Sequence, residues 1–296
     1  METLHQPVLL NEVMEYLKPV DGGIYVDGNL GLGGHTERIL EESSPGGRVV
    51  GFELDEKALS HSQKRLKPFG DRVSFMHRNF SEIKLALDDL AIAEVDGVLL
   101  DLGLSSMQLD TGGRGFSFKG SEPLDMRMDL RSEMTAETYI NRATRDELAD
   151  IFFYYGEERQ ARRIADFIDD FRKKQMITTT DQLVGIIERA VPKRFHPKKI
   201  HVATRVFQGL RIAVNNELVN LEKVLGAGGD VLKNGARFCV ISFHSLEDRL
   251  VKKAFRENPD FKELTKKPLM ASDEECRINP RARSAKMRVA EMGRRK

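Results

Sequence analysis

The sequence predicts an α/β protein whose doubly wound parallel sheet is interrupted by an inserted, all-helical domain. Short β-rich segments alternate with helical patterns over the first third of the chain. This alternation is typical of βαβ units and a parallel sheet. It stops near Leu109, gives way to helical patterns, and returns at residues 237–243. Because strand-like segments precede and follow the helical block, we expect the block to be an insertion into one sheet.

The part before the insertion follows a strand–helix rhythm, and each strand-like segment is short and rich in Val, Ile, Phe or Tyr. The amphipathic segments between them have helical spacing. The predicted strands are residues 24–27, 49–53, 73–76 and 95–102, and the predicted helices cover about 35–42, 56–67 and 81–90.

A helix in this block begins with a capping box at Thr144 and runs to Tyr155, since Thr144 and Glu147 can satisfy each other's backbone N–H groups. Gly156 suits the end of that helix. Apolar residues at helical spacing then predict helices over 157–174 and 181–190 and a long helix over 202–225, followed by a strand at 237–243, a helix at 246–257 and weaker strands at 261–264 and 286–290. We therefore predict a discontinuous domain of residues 1–112 and 202–296, and an inserted helical domain of residues 113–201 that recognises the substrate.

Composition excludes several classes of protein. The hydrophobic fraction of 40% suffices for a core, and no apolar run approaches the roughly 18 residues that a membrane span needs. The first residues lack the basic and apolar regions of a signal peptide. Two cysteines, Cys239 and Cys276, form no disulfide framework. These features predict a cytoplasmic protein without a membrane partner.

Charge is nearly balanced, with 47 Lys and Arg against 46 Asp and Glu. A net charge of +1 gives no general signal for nucleic acid. The basic residues are nevertheless concentrated in residues 157–174, in the connector 189–199, and from residue 277 onward, where eight basic residues face one acidic residue. Each segment is interpreted either as solvated surface or as a phosphate-contacting surface.

A glycine-rich stretch stands where the first strand turns into the first helix. Residues 27–34 read D-G-N-L-G-L-G-G. Glycines there let the backbone approach a ligand and expose N–H groups at a helix N-terminus. The G-x-G-x-x-G spacing of dinucleotide-binding proteins is absent. The stretch is either a tight turn or the cradle of a nucleotide-like ligand.

Polar or aromatic residues follow the other predicted strands. Glu53 ends the second strand, where a carboxylate can accept both hydroxyls of a ribose. Asp55 precedes a helical pattern and suits an N-cap, so we assign Glu53 to the ligand and Asp55 to the cap. Asp101 ends the fourth strand and is either a ligand-facing residue or a cap. Phe80 follows the third strand, and its ring either lies beside an adenine or packs in the core.

Two further features concern the substrate and metals. Phe243 and His244 follow a predicted strand, where the ring could stack on a flipped base and the histidine could contact substrate; packing and capping are the alternatives. Seven histidines are scattered without metal-ligand spacing, and we expect no metal.

Several motifs together resemble one family. They are residues 27–35, 100–106, 114–118, 123–129, 155–158, 203–208, 241–249 and 279–284, of which the block I-S-F-H-S-L-E-D at 241–248 is highly specific. Over nearly its whole length, the chain resembles the MraW family of bacterial S-adenosylmethionine-dependent methyltransferases, which modify the N4 position of a cytosine in 16S ribosomal RNA.

The resemblance implies a Rossmann-like, seven-stranded methyltransferase sheet with an inserted helical domain. It also implies S-adenosylmethionine as cofactor and 16S ribosomal RNA or the small ribosomal subunit as partner. Many members of the family look to have Asp where this chain has Glu53, whose longer side chain keeps the carboxylate but shifts it by about one methylene. The resemblance implies that the cofactor contacts Gly33, Gly34, His35, Glu53, Phe80, Asp101 and Gln108.

Asp101 is also the candidate catalytic residue. The exocyclic amine of cytosine is a weak nucleophile because its lone pair is delocalised into the ring. An acceptor aimed at its N–H would favour pyramidalisation and receive charge as the methyl group arrives. Asp101 could be that acceptor or could bind the methionine amino group; both roles stay open at this point.

Three functions are compatible with these patterns. The first is methyl transfer to a ribosomal cytosine. The second is a nicotinamide-dependent oxidoreductase, which the missing glycine spacing disfavours. The third is a non-catalytic RNA-binding assembly factor, which the glycine turn, Glu53 and Asp101 disfavour. Both a monomer and a homodimer are compatible with the sequence.

Overall fold

The computed structural model describes residues 7–104, 112–118 and 120–293. Gln108, one of the residues expected to contact the cofactor, lies outside the described residues. The chain divides into two compact units. The first comprises Met1–Ser105 and Leu218–Lys296, and the second comprises Ser106–Glu217.

The regular elements alternate between strands and helices except in the middle of the chain, where they are helical. The first part contains α1 (Leu10–Leu17), β1 (Ile24–Asp27), α2 (Gly34–Glu42), β2 (Arg48–Phe52), α3 (Glu56–Leu66), β3 (Val73–Met76), α4 (Ile83–Asp89) and β4 (Val95–Asp101). The middle contains α5 (Ala136–Arg142), α6 (Arg145–Asp150), α7 (Ala161–Arg172), α8 (Thr180–Ala190) and α9 (Thr204–Asn215). The last part contains α10 (Glu217–Val231), β5 (Leu232–Ser242), α11 (Ser245–Glu257), β6 (Phe261–Glu263), β7 (Leu269–Met270), α12 (Asp273–Ile278) and β8 (Lys286–Met292).

One sheet organises the first unit. Its strands follow the order β3-β2-β1-β4-β5-β8-β6, and the two-residue β7 pairs with β8 off this path. The first five strands of this path are parallel, whereas β8 is antiparallel to its neighbours. The predicted α/β class and seven-stranded Rossmann-like sheet are confirmed along this path, and β7 is an addition to it.

The strand order creates a topological switch point between β1 and β4. The chain runs outward from β1 through β2 to β3, then returns to form β4 on the other side of β1. Ligands of open parallel sheets bind outside the carboxyl ends of the strands at such a point. Asp27 and Asp101 are the last residues of β1 and β4, so the switch point brings two carboxylates to one edge of the sheet.

Side chains of the central strands alternate between two apolar layers, as the period of a strand requires. Val26 and Leu100 contribute to one buried cluster, and Tyr25 and Leu99 contribute to the other. Both faces of the sheet are therefore covered, as is usual for parallel sheets. The edge formed by the strand ends is left for the site.

The basic C-terminal segment is part of the sheet. β8 pairs with β5, β6 and β7, and Met287 and Val289 fill one core. Arg288 is 5% exposed and its Nε donates to Oδ1 of Asp248 at 2.6 Å. Arg288 is one of the eight basic residues from residue 277 onward, for which solvated surface and phosphate contact were the two interpretations. Neither applies to Arg288, because its guanidinium is buried against a carboxylate.

The second unit is built around a helical core. Its buried residues include Phe152, Ile164, Ile187 and Leu210. The predicted capping box is present, since the side chain of Thr144 and the carboxylate of Glu147 each accept from the other's backbone N–H. Within the described parts of the chain, no helix combines the length and apolar character that crossing a bilayer requires.

The long helix expected over 202–225 is two helices, α9 and α10. Asn216 separates them in the left-handed conformation, with φ of 51°, and its N–H bonds back to the last turn of α9. The apolar face of α9, including Phe207 and Leu210, joins the helical core. The second unit therefore extends to Glu217, beyond the residue 201 that the sequence predicts.

We expect Asn216 to be the position that sets this break. Asn216→Gly should leave the free energy of unfolding nearly unchanged, because glycine tolerates positive φ. Asn216→Val should lower it by about 1–2 kcal/mol, because a β-branched residue is strained there. Denaturant unfolding of both variants measures the difference, and equal stabilities would contradict it. The side chain of Asn216 is exposed, so lost packing does not confuse the result.

Candidate active site

The glycine turn is fastened to the ends of two neighbouring strands. The N–H of Gly28 donates to the carbonyl of Leu99 at 2.8 Å, and the N–H of Leu30 donates to the carbonyl of Phe52 at 2.9 Å. The turn then leads directly into α2. Its backbone is therefore held over β4 and β2, beside the switch point.

Gly33 is required at the start of α2. Its φ is +80°, and a Cβ there would lie 3.0 Å from Cδ1 of Leu66. Gly33 is the N-cap of α2, and none of the described side chains caps the helix. The N–H groups of a first helical turn have no acceptor within the helix. The segment Gly33-Gly34-His35 thus forms a helix N-terminus that favours an anionic group.

Asp27 organises the turn from inside. It is 1% exposed, its Oδ2 accepts from the Thr36 hydroxyl at 2.7 Å, and its Oδ1 accepts from the Asn29 N–H at 3.2 Å. Burial raises the pKa of the Asp27 carboxyl, and the hydrogen bonds from Thr36 and Asn29 oppose that shift. The sequence shows Asp27 only as the acidic end of a strand, and its hydrogen bonds become evident only in the structure.

His35 is buried and joins the turn to the N-terminal segment. Its Nε2 lies 3.0 Å from the carbonyl oxygen of Val8, so Nε2 carries the proton in that contact. Its Nδ1 lies 3.8 Å from Oδ2 of Asp101. Burial lowers the pKa of His35, which favours the neutral ring. The side chain therefore supports the site from within.

Asp101 carries an acceptor atom without a partner. Its Oδ1 is buried and accepts no hydrogen bond from the residues that the structure describes, although the side chain as a whole is 20% exposed. Burial raises the pKa of Asp101 to about 7; the N–H of Gly103 opposes the shift and the carboxylate of Glu247 adds to it. A raised pKa in a cleft is typical of functional carboxyl groups.

Glu53 is held by three backbone N–H groups. Oε2 accepts from Gly31 at 2.8 Å, and Oε1 accepts from Leu54 and Asp55, each at 2.8 Å. Burial nevertheless raises the pKa of Glu53 to about 7. A carboxylate has about four lone-pair positions, so one is left for a ligand. Glu53 thus ties the end of β2 to the glycine turn.

Asp55 and Phe80 occupy two further predicted positions. Asp55 caps α3 by accepting from the N–H groups of Lys57 and Ala58, so its predicted capping role is confirmed. Phe80 packs partly buried against the sheet core. A Cβ added to Gly28 would lie 3.2 Å from Cβ of Phe80, which puts Phe80 beside the glycine turn. Its contact with adenine stays a prediction.

Three carboxylates thus lie at the carboxyl ends of three adjacent strands. Asp27, Glu53 and Asp101 belong to β1, the end of β2, and β4. Burial raises the pKa of all three, which means that removal from water disfavours their negative charge. A positively charged ligand would stabilise the ionised groups. A pyrophosphate would be repelled.

A second polar group lies at the end of β5. His244 is the N-cap of α11, and its side chain accepts from the N–H of Glu247. Oε2 of Glu247 accepts from the N–H of Phe243 at 2.8 Å. His244 is therefore a capping residue, one of the two roles that the sequence suggests.

Comparisons with known proteins point to a single family. Residues 2–293 match the model of the MraW methylase family. The chain is 59% identical over 290 residues to the ribosomal RNA small subunit methyltransferase H of Desulfotalea psychrophila, covering 98% of both chains. It is 48% identical to the protein of that name from Geotalea uraniireducens, covering 97% and 98%. The protein of that name from Clostridioides difficile is 43% identical, with 98% and 99% covered.

We expect Asp101→Asn to stabilise the ligand-free protein above neutral pH. The folded-state pKa of about 7 lies above the ordinary value of 3.8. The folded state therefore holds a proton that the unfolded state has released, and stability falls as pH rises through this window. The variant should gain about 2–4 kcal/mol at pH 8.5 relative to its effect at pH 5.

Melting temperatures at pH 5 and pH 8.5 measure this effect. Asp88→Asn, an exposed aspartate on α4, is the matched control and should change both temperatures equally. A pH-independent effect of Asp101→Asn would show that burial does not disfavour the ionised carboxylate.

Proposed function

The chain belongs to the MraW methylase family, and on that premise we propose that it methylates the exocyclic N4 amine of a cytosine in 16S ribosomal RNA. The family transfers the methyl group from S-adenosylmethionine. The names of the relatives support a small-subunit ribosomal RNA as substrate, and action on ribosomes implies a cytoplasmic protein. The observation that carries the proposal is the unpartnered, buried Oδ1 of Asp101 among carboxylates at the switch point.

The residues at the switch point fit this cofactor. S-adenosylmethionine carries a sulfonium and an ammonium group, and both complement the carboxylates of Asp27, Glu53 and Asp101. Its methionine carboxylate suits the uncapped N-terminus of α2. The buried Oδ1 of Asn29, which has no partner among the described residues, suits an N–H donor. Asn29 is a site residue that the sequence did not single out.

Each part of the cofactor can be assigned to one of the residues predicted to contact it. We assign the methionine carboxylate to the turn Gly33-Gly34-His35, the ribose hydroxyls to the remaining lone pair of Glu53, and the adenine ring to the side of Phe80. Gln108, which lies outside the described residues, stays in the proposed set by family resemblance.

Asp101 performs the proton chemistry in this proposal. The bound cofactor supplies an electrophilic methyl group on sulfur. As the new C–N bond forms and the C–S bond breaks, the bonding pair stays on sulfur and the amine loses one proton. Oδ1 of Asp101 accepts the N–H and takes that proton. A fixed acceptor of this kind stabilises charge where it develops and orients the amine. No step requires a metal.

The helical unit is proposed to bind the RNA. Arg194 lies over the ring of Phe195 at 4.8 Å, and Arg163 lies over the ring of Phe167 at 5.5 Å. These four side chains are exposed. Exposed arginine–aromatic pairs suit phosphates and unstacked bases. This surface supports substrate recognition by the inserted unit.

Methyl transfer to RNA tests the proposed function. The protein is incubated with labelled S-adenosylmethionine and either small-subunit RNA or small-subunit particles, and the RNA is digested to nucleosides. We expect label in N4-methylcytidine. The rate should be unchanged when the enzyme alone has been dialysed against EDTA before the assay. RNA binding without incorporation into either substrate would favour the non-catalytic assembly factor instead.

Asp101→Asn separates the two roles of that residue. If Asp101 receives the proton of the amine, kcat should fall by roughly 100-fold or more, while the Kd for S-adenosylmethionine should rise by a much smaller factor, because Asp27 and Glu53 still complement its positive charge. The wild-type rate should rise with pH as the Asp101 carboxyl ionises, with a midpoint below the ligand-free pKa of about 7 because the cationic cofactor favours the ionised form, and this rise should be lost in the variant. Binding by calorimetry and single-turnover rates give both quantities. A large increase in Kd with little change in kcat would assign Asp101 to the methionine amino group, and Asp88→Asn should behave as wild type.

A further inference from the structure

His244 has a buried ring nitrogen that makes no hydrogen bond to the described residues. Its Nδ1 accepts from the N–H of Glu247 at 3.4 Å, so in the neutral ring the proton is on Nε2. The side chain is 9% exposed. Nε2 lies 3.1 Å from Oε1 of Glu247 but makes no hydrogen bond within the described chain. A buried donor without a partner is costly, which favours an acceptor supplied by a ligand.

Asp101 supplies the complementary acceptor on the neighbouring strand. β4 and β5 are parallel, with Asp101 opposite Ile241, and the N–H of Leu102 donates to the carbonyl of Ile241 at 3.0 Å. His244 follows three residues after that partner, so both side chains leave the same edge of the sheet. Glu247, whose backbone N–H donates to His244, carries a carboxylate close enough to raise the pKa of Asp101.

Phe243, which directly precedes His244, adds an aromatic ring to this edge of the sheet. A Cβ added to Gly103 would lie 2.8 Å from Cε2 of the Phe243 ring. The loop after β4 therefore passes directly against this ring, and a glycine is needed there. An aromatic ring beside paired polar groups is the usual arrangement for holding an extruded base.

The order of donor and acceptor matches cytosine. On its pairing edge, cytosine presents the N4 amine as a donor beside N3 as an acceptor, whereas uracil presents O4 as an acceptor beside N3–H as a donor. An unpaired carboxylate oxygen and an unpaired imidazole N–H at the same edge of the sheet complement the first pattern and oppose the second. The pairing edge of cytosine offers one partner to each of the two atoms.

We infer that His244 reads the target base, its Nε2–H donating to N3 of the cytosine while Oδ1 of Asp101 accepts from N4 and Phe243 stacks on the ring. This inference rests on the proposed function, because it assumes that a cytosine amine is the acceptor of the methyl group. It adds the residue that distinguishes cytosine from uracil.

His244→Asn is the decisive variant because it preserves the structural role of the residue. Asparagine is among the best N-caps, so α11 keeps its cap. Its shorter side chain does not bring a donor to the position of Nε2. The variant is assayed on RNA with cytidine and on RNA with 3-deazacytidine at the methylated position, in which C–H replaces N3.

For the wild-type enzyme we expect the 3-deazacytidine substrate to lower kcat/KM by roughly tenfold or more, because the donor of His244 is then left unpaired. His244→Asn should be slower on cytidine and should show little further loss on 3-deazacytidine. Comparing the two ratios cancels the altered basicity of the analogue's amine. Cofactor Kd and melting temperature should stay close to wild type.

His61→Asn, an exposed histidine on α3, is the matched control and should keep the wild-type ratio. If His244→Asn also keeps the wild-type ratio, His244 does not donate to N3 and the inference is overturned, whatever its overall activity. Failure of the proposed function has a different signature, because wild-type enzyme would then form no N4-methylcytidine on unmodified RNA.

Discussion

The burial of carboxylates at the switch point is the constraint on which the rest of the site depends. Asp27 and Asp101 end adjacent parallel strands, and Glu53 follows the next strand along. Their partial removal from water is unfavourable for the protein alone, as the raised pKa values of the three groups indicate. The same arrangement is favourable once a cationic cofactor supplies the missing charge. The same buried carboxylates therefore destabilise the ligand-free protein and contribute to its affinity for the cofactor.

Sequence order predicts much of this site because the carboxyl ends of parallel strands meet at one edge. Glu53 and Asp101 could be chosen from their positions after apolar runs, and the cap at Asp55 from the helical pattern behind it. The number of strands on the main path came from family resemblance. The residues that support the site from behind are harder to predict from sequence. The contact of His35 joins segments 27 residues apart, and no local pattern indicates it.

The errors also have physical causes. Arg288 belongs to a basic run, yet its partner Asp248 is 40 residues away in the chain, and the strand that carries it alternates apolar residues only weakly. The break at Asn216 interrupts a continuous apolar pattern, and the helical spacing on both sides conceals it. Local charge and periodicity describe a segment, while burial and the left-handed turn are decided by what packs against it.

The neighbouring positions of β4 and β5 have a kinetic consequence. Asp101 and His244 lie on paired strands, but the whole second unit separates them in the chain. Bringing these strands together closes the longest gap in the sheet, which is an entropically costly and slow event. The glycine turn between β1 and α2, which is held by β2 and β4, requires no such closure, because all of these elements precede the second unit in the chain. During folding, the ability to hold the cofactor is thus expected to arise before the ability to select a base, and a chain arrested between these stages would be a cofactor-binding species without a substrate site.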